Sequence, residues 1–234
     1  MSRQKSIYIV CSPRQRVGKT LIARALTEFI LADGRRAAVA FDVNPNNTAL
    51  YGFLPRNTAR ANIETTRGQM ALFDELIAED EVVKVIDLGD QAFAKFFTLI
   101  RQIALVEEAQ RRGIDVVTLF IGDPDPRSAK SYAGFYGDFR EMTLVPVHNE
   151  YIANMQDYMG DFPSPVPGER PVRFPVLSPF LKSVVDRPGF SFDDYRDRPA
   201  ETRTELHEWI ERVFVEFREL ELRLLLRELK SSLT

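Results

Sequence analysis

Cysteine is nearly absent from this chain, with Cys11 the single thiol among 234 residues. One thiol cannot form an internal disulfide, and two histidines, His148 and His207, do not supply the usual zinc-ligand spacings. A reducing, cytoplasmic setting is therefore expected. Long apolar runs are missing as well. None approaches the ~20 residues that a membrane-spanning helix needs, and the apolar part of MSRQKSIYIVC is too short for a secretory signal. Charge of one sign is also lacking: 31 basic residues face 34 acidic ones, a formal charge of −3. That balance does not favour a dominant electrostatic grip on nucleic acid but leaves room for a local basic patch. Within the basic set lysine is scarce, seven against 24 arginines. What the chain does have is length. One compact domain of this size buries about three-quarters of the surface its unfolded chain exposes, so no staple is required.

Short runs rich in Val and Ile alternate with longer stretches of helical period, the pattern of an α/β domain with a mostly parallel sheet and helices on both faces. Strands are expected at Ser6–Cys11, Ala37–Val43, Val82–Asp87, Val116–Ile121, Met142–His148 and Val172–Leu177. The last contains Pro175, so it should lie at an edge or break there. Helices are expected at Lys19–Ala32, Thr66–Ala78, Gln91–Arg112, Ser128–Tyr136, Phe180–Val185 and Glu201–Leu229. Gly160–Pro171 carries four prolines and Asp186–Pro199 reads DRPGFSFDDYRDRP, so both should be irregular connections. The expected organisation is a nucleotide-binding domain over residues 1–200 and a C-terminal helix over 201–234, packed on the domain or used in dimerisation.

The strongest local signal is IYIVCSPRQRVGKTLIARALTEFI, where an apolar strand runs through a turn into a helix opening at Gly18-Lys19-Thr20. Successive backbone N–H groups at a helix N-terminus can cradle phosphate oxygens, a lysine balances their charge, and a hydroxyl ligates Mg²⁺. Lys19 and Thr20 occupy those two positions. The strict G-x-x-x-x-G-K-[ST] motif would put glycine at position 13, where this chain has Pro13, which removes one N–H and fixes φ near about −65°.

This segment resembles the deviant phosphate loop of ParA/MinD-type ATPases, whose pattern is K-G-G-x-G-K-[ST]. Arg14 falls on the first lysine, Gln15 and Arg16 on the paired glycines, and Val17, Gly18, Lys19 and Thr20 on the remainder. The resemblance implies binding of ATP or ADP with Mg²⁺, and a homodimer in which Arg14 reaches the partner's phosphates. An ordinary solvated loop arginine is the alternative reading of both Arg14 and Arg16.

A phosphate loop needs carboxylates that hold the metal's waters and position an attacking one. In VVKVIDLGD a buried strand ends at Asp87, a position that faces the ligand crevice of an open α/β sheet and suits the Mg²⁺ shell. The run AAVAFDVNPNN resembles the family's D-x-D-P switch segment, with Asp42 as the first carboxylate, also toward the metal. Asn44 stands where the family has its catalytic aspartate, followed by the matching Pro45. An amide is a very poor base, so slow or absent hydrolysis is expected, and Asn44→Asp should restore turnover. Capping of a turn is the plainer role for Asp42 and Asn44. In LVPVHNEY, Asn149 follows a strand where relatives carry an asparagine that reads the adenine edge.

From Leu206 the apolar positions Leu206, Ile210, Val213, Phe217, Leu220 and Leu224 form a heptad-like seam, widened by Trp209, Phe214, Leu222 and Leu226. The polar face mixes Glu and Arg, which disfavours membrane attachment. The sequence supports an ATP-dependent switch with an unidentified protein partner. Two other classes stay open: a carboxylate ligase resembling dethiobiotin synthetase, which needs a further pocket beside the γ-phosphate, and a degenerate module that only binds a partner. DNA contact would rest on arginines 56, 60, 67, 111 and 112, which read more simply as solvated faces.

Overall fold

The computed structural model describes residues 5–139, 141–166, 168–197 and 204–231. Seven strands form one sheet in the order β3-β2-β4-β1-β5-β6-β7, every neighbouring pair parallel. The strands are β1 (Lys5–Cys11), β2 (Ala37–Val43), β3 (Thr58–Arg60), β4 (Val82–Leu88), β5 (Ile114–Ile121), β6 (Thr143–Asn149) and β7 (Val172–Phe174). The major helices are α1 (Lys19–Leu31), α3 (Thr66–Leu76), α4 (Asp90–Gln102), α5 (Leu105–Arg111), α6 (Pro126–Asp138), α8 (Pro179–Val185) and α10 (Glu205–Ser231). Short helices α2 (Ala49–Phe53), α7 (Met155–Tyr158) and α9 (Phe192–Arg196) and a 3₁₀ turn at Met159–Asp161 complete the described elements.

Alternation along each strand divides the core in two. In β1, Tyr8 and Val10 join a cluster with α1, α8, α9 and α10, whereas Ile7, Ile9 and Cys11 join one with α3, α4, α5 and α6. Both faces of the strand are apolar because both are covered, which is why the run reads as continuously hydrophobic. The thiol of Cys11 is accordingly buried packing, and burial pushes its pKa up.

Departures from the expected elements have local causes. The stretch expected as one helix, Gln91–Arg112, divides at Ala104, which adopts φ 51°. In α4 the buried positions are Ala92, Phe93, Phe96, Phe97 and Ile100; continued at the same period, that face would present Ile103 and Ala104 and then the charged Glu107, Glu108 and Arg111. The break re-registers the chain so that Leu105, Val106 and Ala109 enter the core instead. Strand β7 stops before Pro175 at the sheet edge, as the missing N–H requires. Strand β3 and helices α2, α7 and α9 are too short to give a periodic signal. Helix α10 opens at Glu205; residues 201–203 of the expected helix, like the boundary at residue 200, lie outside the described residues.

The whole seam of α10 named above is buried against the domain, with Phe214 and Phe217 packed on Phe29 and the Trp209 indole N–H donating to Pro175 O at 3.0 Å. Leu222 and Leu226, at the far end, are exposed. No helix among the described residues is long and apolar enough to cross a membrane.

Topology sets the position of the site. From central β1 the chain crosses one face of the sheet through α1 to β2, while the connection from β4 to β5 crosses the opposite face through α4 and α5. The two connections diverge above the C-terminal ends of β1 and β4, opening the crevice where ligands bind in sheets of this kind.

Candidate functional site

The segment from Ser12 to Gly18 leaves β1 as an irregular loop and closes into α1. Gly18 is the N-cap, at φ 94°, and a Cβ there would lie 2.7 Å from Asn149 Nδ2, so only glycine fits on both conformational and steric grounds. Arg16 also holds positive φ, 58°, an uncommon state for a side chain of its kind. Among the described residues, none of the backbone N–H groups from Gln15 to Leu21 donates a hydrogen bond to protein; the first bond of the helix is Ile22 N–H to Gly18 O at 3.0 Å. Of these residues Gln15, Arg16, Gly18, Lys19, Thr20 and Leu21 line a cavity of about 790 Å³, together with Asn44, Asp90, Asn149 and the segment after β7.

Lys19 and Thr20 stand at its floor. The Lys19 ammonium is buried and donates to Arg14 O at 2.5 Å, with Asp90 Oδ1 at 4.0 Å. Burial lowers its pKa, and Asp90 and Asp87 oppose that shift. Thr20 Oγ1 donates to Asp87 Oδ2 at 2.7 Å. Asp87 is fully buried, and its other oxygen, Oδ1, has no hydrogen-bond partner. Desolvation raises its pKa to about 7; the nearby Asp42 adds to the rise, while Thr20, Lys19 and Asn44 oppose it.

Asp42 lies opposite Asp87 in the β2–β4 register. Both of its oxygens are engaged, Oδ1 by Asn44 Nδ2 at 2.9 Å and Oδ2 by the Tyr51 N–H at 3.1 Å. Asn44 Nδ2 also donates to Asp87 O at 3.2 Å, and its Oδ1 sits so close to Gly89 that a Cβ there would approach within 2.4 Å. The amide is thus a donor that separates Asp42 from the Asp87 backbone. Replacing it with aspartate would set carboxylate against carboxylate at hydrogen-bond distance, so the geometry argues against Asn44→Asp as a simple way to restore turnover.

The remaining expected residues divide. Gln15, Arg16, Gly18, Lys19, Thr20, Asn44 and Asn149 line the one cavity, and Val17 is buried beneath it. Pro13 is half-buried at the start of the loop. Arg14 is folded back, Nη1 3.3 Å from Asp123 Oδ1. Asn149 is occupied as a strut: Nδ2 donates to Val17 O at 3.0 Å, and Oδ1 accepts from the Tyr151 N–H at 3.1 Å.

Asp123 was not legible as a site residue. Fully buried, it accepts from Ser128 Oγ at 2.6 Å, from the Asp125 N–H at 2.8 Å and, at longer range, from Ser12 Oγ and Arg14. Its loop partners are more than a hundred positions away in sequence; the only clue was the turn chemistry of GDPDP. Arg24, another residue not foreseen, is buried in α1 and reaches the cavity wall, where Nε donates to Glu28 Oε1 at 3.1 Å, Nη1 to Val185 O at 2.8 Å and Nη2 to Phe190 O. Arg111 and Arg112, considered for DNA, both pair with Glu108. Among the described residues no group of three or more His, Cys, Asp or Glu side chains forms a metal cluster.

A second, smaller cavity of about 310 Å³ adjoins the first, with Asn44 and Pro45 lining both.

No protein-family model and no curated protein matches the sequence. Among solved structures, a de novo designed protein of P-loop NTPase fold, determined in solution by NMR, is similar at a TM-score of 0.38 and 16% identity, over 65% of this chain and 87% of the designed one.

Proposed function

We propose that the chain binds a nucleoside triphosphate, ATP in the first instance, with Mg²⁺, and works as a nucleotide-operated switch of ParA/MinD type rather than as a fast hydrolase. The observation that carries this reading is the row of unpartnered N–H groups from Gln15 to Leu21 above a buried lysine. Unpaired donors at a helix N-terminus beside a desolvated cation form an environment that oxyanions complete. Phosphate oxygens would take the place of Arg14 O as the Lys19 partner.

The residues present fit Mg²⁺. A buried carboxylate oxygen with no partner, Asp87 Oδ1, lies beside the Thr20 hydroxyl, and a hard cation that keeps several waters needs few protein ligands. Thr20 and Asp87 would hold the ion, directly or through water, which would supply charge to balance the phosphates. Asp42 could join only by giving up Asn44 or the Tyr51 amide.

Asn44 carries the argument against fast turnover. Its amide nitrogen is committed as a donor and its oxygen packs on Gly89, so the place of a general base holds no proton acceptor of useful basicity. A homodimer across two nucleotides belongs to the same reading. Arg14 could reach a partner's phosphates by leaving Asp123, an exchange available to a side chain half exposed to solvent.

The direct test is calorimetric titration of ATP with Mg²⁺ into wild type and Lys19→Ala. Losing one charged hydrogen-bond donor to phosphate should weaken binding roughly tenfold to a hundredfold, with the melting temperature of the free protein moving by no more than about 2 °C, because Lys19 bonds one loop carbonyl and meets Asp90 only at 4.0 Å. Equal affinity in the two proteins would refute the assignment. Rapid wild-type hydrolysis would refute the slow switch while leaving nucleotide binding intact.

A further inference from the structure

The smaller cavity is lined by the apolar Val43, Pro45, Ala61 and Ile63 and, besides Asn44, by the polar Thr48, Arg60, Asn62 and Glu64. The Arg60 guanidinium carbon lies over the Tyr51 ring, 4.1 Å from its centroid; no carboxylate among the described residues comes within 4 Å of it, and Asp42 feels its charge from further away. The ring contact leaves the N–H groups of the fork without a protein acceptor among the described residues, and a guanidinium so placed can recognise a planar oxyanion bidentately. The same tyrosine donates its backbone N–H to Asp42, so the Arg60 platform is tied to the carboxylate pair of the larger site.

The other polar groups favour an acceptor ligand. Asn62 Oδ1 accepts from the Glu64 N–H at 2.8 Å, and its NH₂ group has no acceptor among the described residues. The Thr48 hydroxyl, at the start of α2, makes no capping bond. Glu64, the lining carboxylate, is engaged by Lys95 Nζ at 2.7 Å. One positive charge with no ion pair inside 4 Å, beside two neutral donors, matches a single negative charge better than a double one, and the four apolar lining residues match a short hydrocarbon body.

We infer that this second cavity is a binding site for a small monocarboxylate with an aliphatic stem, its carboxylate on Arg60 and Asn62 and its stem against Pro45 and Ile63. Through the wall of Asn44 and Pro45, such a ligand would sit directly beside the larger cavity. The inference does not depend on what occupies that larger cavity.

The test is an NMR titration of ¹⁵N-labelled protein with butyrate, followed at the Arg60 side chain and at the amides of residues 43–44 and 60–64. It is run on wild type, Arg60→Gln and Lys19→Ala, with butyramide and inorganic phosphate as comparison ligands. Arg60 is exposed, so the glutamine variant should melt with the wild type. The expected result is saturable butyrate binding in wild type and Lys19→Ala, weakened at least about tenfold in Arg60→Gln, with butyramide and phosphate both binding more weakly than butyrate. The inference is overturned if Arg60→Gln binds butyrate as well as wild type, or if wild type shows no saturable binding. Loss of binding in Lys19→Ala with retention in Arg60→Gln would move the anion to the phosphate loop and equally overturn it. Phosphate or butyramide binding as tightly as butyrate would overturn the carboxylate assignment. A failed ATP titration together with Arg60-dependent butyrate binding would remove the nucleotide reading and leave this one standing.

Discussion

Helix α1 carries two buried ionic constellations little more than a turn apart, and they are completed to different degrees. Arg24 satisfies its donors on Glu28, Val185 O and Phe190 O, packs near the rings of Phe53, Phe190 and Phe192, and leaves Glu28 to accept the Phe192 N–H at 2.6 Å. Lys19, at the head of the same helix, is nearly as buried but makes one hydrogen bond, to a loop carbonyl, with Asp90 no closer than 4.0 Å, and Asp87 beside it keeps an oxygen with no partner. Burying charge is costly unless hydrogen bonds compensate it within the protein or a ligand does so from outside. The first constellation is closed by the fold itself, and joins α1 to the segment between α8 and α9. The second remains open, which is the physical content of calling it a site.

The largest effect should come from breaking the closed network. Arg24→Met leaves Glu28 buried without its cation, and an uncompensated buried charge costs about 3–5 kcal/mol. At about 2–4 °C per kcal/mol for a chain of this size, the melting temperature should fall by roughly 6–20 °C. Adding Glu28→Leu should recover much of the loss, since replacing both partners removes the stranded charge. A thermal melt that moved as little for Arg24→Met as for Lys19→Ala would erase the distinction between the two constellations.

Asp87 tests the open one through pH. A carboxylate raised from its ordinary value to about 7 holds its proton longer in the folded than in the unfolded state. Wild-type stability should therefore fall as pH climbs from about 4 toward 7, with this cost fully present above that range. Asp87→Asn should remove the slope and stabilise the metal-free protein at pH 8 by about 1–3 kcal/mol, read by denaturant melts at several pH values. A variant as pH-dependent as wild type, or less stable at pH 8, would show that the carboxylate is satisfied after all.

The smallest effect concerns Asn149. Its bond to Val17 O holds the phosphate loop from below, so Asn149→Ala should cost about 1 kcal/mol of stability and weaken ATP severalfold, measured by melting and calorimetry. Base recognition alone would weaken ATP without destabilising the free protein.

Much of the arrangement could be read from the sequence because its causes are local. Uninterrupted Val and Ile runs marked strands covered on both faces, Gly18-Lys19-Thr20 marked a helix opening, and Asp87 ended a buried strand. Other features depend on partners distant along the chain. Asp123 meets Ser12 and Arg14 across 111 and 109 positions, and Arg24 meets Val185 and Phe190 across 161 and 166. No periodicity reports such pairings. Asn44 lay between these cases: its chemistry as a poor base was readable, whereas its bond to Asp42, which gives the amide a positional role, appears only once β2 and β4 are side by side.

The central claim is that a nucleotide and its metal complete what the fold leaves open, and ligand-dependent melting of wild type and Asp87→Asn tests it most directly. With ATP at a hundredfold above its dissociation constant, wild type should gain about 2.7 kcal/mol, equivalent to roughly 5–10 °C. That gain should shrink when Mg²⁺ is chelated, and in Asp87→Asn it should be small with or without the metal. Equal shifts in the two proteins, or a wild-type shift indifferent to Mg²⁺, would contradict the account.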